Sequence, residues 1–289
     1  MVPQYSEGLP CIKVDEQRET IWIEKDTCDE IMKFYETCSE DSTVAISEDY
    51  ARGLYAFLKT ISDKHFQMLK GHITGPLTFT LGLKDSGKRL IYFNEELREI
   101  SLILLKAKIR WQVEALKPYA GRVIIFIDEP ILTALGSSSY LGVDPDESLR
   151  LLRETSDAIE RAGGIPGIHC CSNADWPLVI KSDVRIINFD AYEYIDTIMI
   201  YPEEFTRFLQ GGGYLAWGIV PTTEAIKDVN LDLIKRHFES SIERLSKIVP
   251  STLLLSQILL TPSCGAGSLS VEEAVKVFHT LRALKESMV

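Results

Sequence analysis

Three residues carry the most specific chemical signal in the chain. His169 and Cys171 lie in the stretch IPGIHCCSNAD at Ile165–Asp175, and Cys264 lies in LLTPSCGAG. Ile165–Ile168 reads as a short buried strand after a helix that ends at Ala162-Gly163-Gly164. Residues two apart on a strand face the same way, so His169 and Cys171 project together and Cys170 turns to the other side. An imidazole and a thiolate on one face at a strand end are half of a zinc site. Cys264 closes another apolar stretch just before a glycine turn, and is the natural third donor. The competing reading is that a buried histidine and free cysteines simply pack, since cysteine is among the most buried residue types.

These residues need elements to bring them together. CIKVDE and TIWIEK around Gln17-Arg18-Glu19 predict an N-terminal β-hairpin, and a helix follows over about 28–38. A strand is expected at Thr43–Ser47, ending in Glu48-Asp49, and a helix near 50–63. Phe66–Ile73 runs into the turn Thr74–Thr78. A helix over about 94–118 precedes the very apolar strand Val123–Ile127, which ends in Asp128-Glu129-Pro130. Helices are predicted at Pro145–Arg161, about 175–181, 202–210 and 230–248, and from Ser270, whose Glu273 completes a capping box. Strands are predicted at Val184–Phe189 (ending in Asp190), Tyr214–Ile219 and Leu253–Leu260.

Continuous apolar strands alternating with helices imply a parallel sheet covered by helices. Polar and metal-capable residues recur at the strand ends: Glu48, Thr74, Asp128, His169 and Cys171, Asp190 and Cys264. A ring of this kind predicts an α/β fold of the TIM (β/α)8 type. Seven strands follow the hairpin, one short of eight. The expected organisation is one domain over 1–289, with 1–40 as a hairpin and helix extension and 41–289 as the barrel units. Gly211-Gly212-Gly213 precedes a strand and opens no helix, so it is no dinucleotide fingerprint.

Composition sets the outer limits. The chain has 289 residues, 45% hydrophobic and 25% charged, with a formal net charge of −11. That balance, without any Lys/Arg run, argues against a nucleic-acid partner. No apolar run is long enough for a membrane span, and MVPQYSEGLP lacks the features of a signal peptide. Six unevenly spaced cysteines fit a reducing, cytoplasmic setting. Cys11, Cys28 and Cys38 have no metal-like spacing and read as structural. His65, His237 and His279 carry no signal, His72 reads as a core histidine, and Trp176 and Trp217 as packing residues.

HCCSNADW, INFDAYEY and TPSCGAG, in that order, resemble the catalytic barrel of cobalamin-independent methionine synthase. The wider superfamily also contains uroporphyrinogen decarboxylase and the methylcobamide:coenzyme M methyltransferases. AISED at Ala45–Asp49, TGPLT at Thr74–Thr78 and IDEP at Ile127–Pro130 extend the resemblance over nearly the whole chain from about residue 40. The chain departs from the family in three places. It has no room for a second, N-terminal barrel; it has no Gly-Ser-Phe-Pro-like turn before residue 40, which by the resemblance implies that the first βα unit is lacking or replaced; and it has Asp190 where the family has a glutamate zinc ligand.

The resemblance implies a zinc cofactor held by His169, Cys171 and Cys264, with Asp190 as a displaceable or outer ligand. It implies methyl transfer to a small thiol, with Asp128 and Asp190 as the candidate catalytic acids. Glu48 and Asp128 match acids that hold the amino group of homocysteine, and Glu129 stands beside them at the same strand end. Zinc would deprotonate the acceptor thiol. Because only one barrel is expected, the methyl donor is expected to be a methylcorrinoid or a corrinoid protein. Two further readings stay open. A uroporphyrinogen-type decarboxylase would need arginines at strand ends, and few are there. A closed, purely structural zinc site would show four tight ligands.

Overall fold

A computed structural model describes residues 1–15, 17–18, 20–24, 28–39 and 41–288. The side chain of Cys28, like Glu19 in the expected hairpin turn, lies outside the described residues. The hairpin forms as expected: β1 (Ile12–Asp15) pairs antiparallel with β2 (Thr20–Ile23), Ile12 opposite Ile23 and Asp15 opposite Thr20. Six further strands make one sheet, β3 (Phe66–Thr74), β4 (Ala120–Asp128), β5 (Ile165–Cys170), β6 (Ile186–Phe189), β7 (Tyr214–Val220) and β8 (Ile258–Pro262). They lie in sequence order, β3-β4-β5-β6-β7-β8, and the pairs β3–β4, β6–β7 and β7–β8 are parallel. A parallel pair needs a crossover, and a helix fills every gap between successive strands.

Three expectations are corrected here. A closed eight-stranded barrel is not what the described residues form; their parallel sheet has six strands and ends on β3 and β8. Thr43–Ser47 is not a strand. Its backbone groups are satisfied one by one, Val44 N by the Ala107 carbonyl, the Ile46 carbonyl by the Tyr55 hydroxyl and Ser47 N by the Glu7 carboxylate. With its polar groups so occupied, the segment has no ladder to join. Glu48 consequently opens the helix Glu48–Thr60 and is solvent-exposed. The expected strand Leu253–Leu260 also divides. Ser251–Ser256 is helical, as three consecutive leucines allow, and β8 begins at Ile258.

The chain separates into two compact units, Met1–Ile131 with Gly136–Gly167, and Leu132–Leu135 with Ile168–Val289. In the first, the helix Glu95–Leu116 packs on β3 and β4, and the β4 residues Val123–Ile127 are all buried. The backbone of β3 at His72 is closed by a side chain. Gln112 Oε1 accepts from His72 N at 2.8 Å, and Gln112 Nε2 donates to His72 O at 2.8 Å. Tyr5 Oη also donates to that carbonyl, at 2.6 Å.

In the second unit the helix Val271–Glu286 starts with the predicted capping box at Ser270 and Glu273. Trp176 and Trp217 are buried and pack edge-on against Phe189 and Phe238 respectively. No helix among the described residues is long and apolar enough to cross a membrane.

Candidate metal centre

The second unit assembles the three expected donors. His169 is the fifth residue of β5, and Cys171 follows the strand's last residue. Cys264 follows β8 by two residues, and its loop is pinned to the end of β7. Ser263 N donates to the Val220 carbonyl at 2.8 Å, and Thr222 N donates to Ser263 Oγ at 3.1 Å. Gly218 makes this approach possible. A Cβ there would lie 2.4 Å from the Phe189 carbonyl oxygen and 2.8 Å from Ser263 Cα.

His169 Nε2 lies 3.5 Å from Cys171 Sγ and 3.5 Å from Cys264 Sγ, and the two sulfurs are 3.9 Å apart. Tetrahedral zinc has Zn–S of about 2.3 Å and Zn–N of about 2.0–2.1 Å. Those bonds place two sulfur ligands about 3.8 Å apart, and sulfur about 3.6 Å from nitrogen. The donor spacing thus fits a tetrahedral ion of that size. His169 is buried, Cys171 half-buried and Cys264 exposed, so the triangle is open to solvent on the Cys264 side. Hydrogen bonds from Cys171 and then His169 hold the Cys264 thiol far below the usual thiol range, although burial opposes them. Cys170 is fully buried with its sulfur toward the Asn173 carbonyl, away from the group as the strand alternation requires.

A residue not singled out from the sequence orients the imidazole. Asn188, buried on β6, places Oδ1 2.6 Å from His169 Nδ1. Its amide nitrogen donates to the Ala216 carbonyl on β7 at 2.7 Å and to Thr261 Oγ1 on β8 at 3.0 Å. The Ala216 carbonyl can only accept, which fixes the amide's orientation and leaves Oδ1 to accept from Nδ1–H. Nε2 is then the nitrogen with the free lone pair, and it is the one that faces both sulfurs. An asparagine inside the apolar run INF was the available signal, since a buried amide must find partners.

Asp190 is buried one residue past β6. It caps the short helix Ala191–Tyr194 by accepting from Glu193 N at 3.0 Å. Burial first, then the charges of Glu193 and Cys264, push its carboxyl up to about 6, against the pull of the Glu193 and Tyr192 amides. It is not one of the three residues whose donor atoms lie within 4.8 Å of one another.

No protein-family model matches the sequence, and no curated protein matches it.

The other expected acids lie in the first unit. Asp128 ends β4 opposite Thr74 and is half-buried. Glu129 is fully buried. Its Oε1 accepts from Leu77 N at 2.8 Å, and its Oε2 accepts from Thr78 N at 2.8 Å and Thr78 Oγ1 at 2.6 Å. Glu129 therefore caps the helix Pro76–Gly82, whose own N-cap is Gly75 and offers no side chain. Burial outweighs these hydrogen bonds and pushes the Glu129 carboxyl up to about 7. Among the described residues no ion pair joins Glu48 to Arg52.

Proposed function

We propose that this chain is a zinc-dependent methyltransferase acting on a small thiol, similar in its chemistry to cobalamin-independent methionine synthase. The observation that carries the reading is the open triangle of His169 Nε2, Cys171 Sγ and Cys264 Sγ, spaced for a tetrahedral ion. Three protein donors leave a fourth position for substrate, whereas a structural site fills all four. Zinc held there would deprotonate an incoming thiol and keep it nucleophilic toward a methyl group.

The chain's own residues prepare that step. Asn188 keeps the proton on His169 Nδ1, so Nε2 is available as a donor. The strap from Val220 to Ser263 holds Cys264 at its place. Asp190 serves as an outer acid whose carboxylate is already engaged by the Glu193 amide. The sequential order of six strands with helical crossovers agrees with consecutive units of a (β/α)8 barrel. Homocysteine is the proposed acceptor, and a methylcorrinoid is the proposed donor.

The test is turnover by zinc-loaded protein, with methylcobalamin or methyltetrahydrofolate as donor and L-homocysteine or coenzyme M as acceptor. The reading expects S-methylation of homocysteine from methylcobalamin, abolished by Cys171→Ala. No turnover in any combination, by protein shown to hold zinc, would overturn it.

A further inference from the structure

The first unit encloses a second site that the proposed methyl transfer does not use. A cavity of about 340 Å³ lies between the helix Glu48–Thr60, β3 and Gln112. That volume falls in the range of small-molecule pockets, about 300–1,000 Å³. Its wall includes Arg52, Lys70 and His72, and among the described residues no aspartate or glutamate lines it. This runs against the composition of the chain, in which 42 acidic residues outnumber 31 lysines and arginines.

The local backbone builds the wall. Ala51, Arg52, Gly53 and Leu54 all line the cavity. Four consecutive residues of a regular helix point in directions covering most of a full turn, and cannot share one wall. Here the helix is broken at Ala51 (φ −137°, ψ 38°), which lets them do so. Gly53 adds room, because nothing lies within 4 Å of where its Cβ would be. Tyr50 and Phe57 supply two partly exposed aromatic faces to the same cavity. The Lys70 ammonium stands 4.8 Å from the centre of the Phe126 ring, a cation–π contact that positions its side chain. Asp128 acts electrostatically on His72 without entering the wall.

We propose that this cavity binds a small organic anion with a flat, apolar body, its carboxylate or phosphate held by Arg52 and Lys70 and its body against Tyr50 and Phe57. A guanidinium offers paired donors to either anion, and an ammonium adds a point charge.

Calorimetric titration of the full chain with benzoate, phenyl phosphate, benzyl alcohol and benzylamine tests this. Benzoate or phenyl phosphate should bind, and the stronger of the two tells which anion the site takes. Benzyl alcohol should bind at least tenfold more weakly, and benzylamine not at all. Arg52→Gln should weaken anion binding tenfold or more. Arg52 is exposed and makes no ion pair among the described residues, so the variant should keep the wild-type circular dichroism and urea midpoint. Arg282→Gln, on a helix of the other unit, should leave binding unchanged. Equal binding of benzylamine, or unchanged binding by Arg52→Gln, would overturn the proposal. Absence of binding by all four probes would overturn it as well.

Discussion

Asn188 decides which nitrogen of His169 faces the two cysteines. Its Oδ1 stands 2.6 Å from Nδ1, while its own amide protons are committed to Ala216 and Thr261. Replacing Asn188 by alanine should lower zinc affinity by about 10–100-fold, the usual cost of losing the group that orients a metal-binding histidine. Competition with a chromophoric chelator measures this. Unchanged affinity would mean that the imidazole needs no such support.

Purified protein should carry about one zinc per chain. Cys171→Ala and Cys264→Ala should each lose it, and cobalt-substituted wild type should show thiolate-to-metal charge-transfer bands that both variants lack. Asp190→Ala should keep the metal, because Asp190 lies outside the three-donor group. Zinc-free protein that takes up no zinc on addition would remove the basis of the proposed function.

Glu129 should leave a trace in the pH dependence of stability. Its folded-state value of about 7 lies above the ordinary 4.5, so the fold favours the protonated carboxyl. The resulting contribution is fully present below about pH 4.5 and is lost as pH rises through about 7, on the order of 3 kcal/mol in all. Urea midpoints of the wild type should therefore fall more steeply between pH 5 and 8 than those of Glu129→Gln. Parallel profiles would show that Glu129 is ionised throughout.

Gly218→Ala places a methyl group 2.4 Å from the Phe189 carbonyl oxygen and 2.8 Å from Ser263 Cα, both of them backbone. Overpacking of a core costs about 1–3 kcal/mol, and a clash with two backbones belongs at or above the upper end. Because Ser263 precedes Cys264, zinc affinity should fall along with the urea midpoint. A variant of wild-type stability would contradict the close approach of β7 and the Ser263 loop.

The metal group was legible in the sequence for a local reason. His169 and Cys171 needed only a strand's alternation, and Cys264 only its place between an apolar run and a glycine turn. The last helix was legible through its cap. Ser270 with Glu273 marks the start of Val271–Glu286, as found. The rest depended on partners distant in sequence. Thr43–Ser47 has strand-forming residues, but Glu7, Tyr55 and Ala107 take its backbone groups. Glu129 shares a strand end with Asp128, and only the position of Leu77 and Thr78 shows that its oxygens serve a helix start. Asn188 looked like one polar letter in an apolar word.

Gln112 gives β3 something that a terminal strand of a sheet ordinarily lacks. By accepting from His72 N and donating to His72 O, its primary amide imitates one residue of a neighbouring strand. An incoming chain that tried to extend the sheet at this point would first have to displace that imitation, and the Tyr5 hydroxyl with it. Terminal strands are where sheets recruit copies of themselves into aggregates, and proteins guard them with charge, proline or bulges. Here the guard is a glutamine from the covering helix, and its protection is confined to a single residue of the edge.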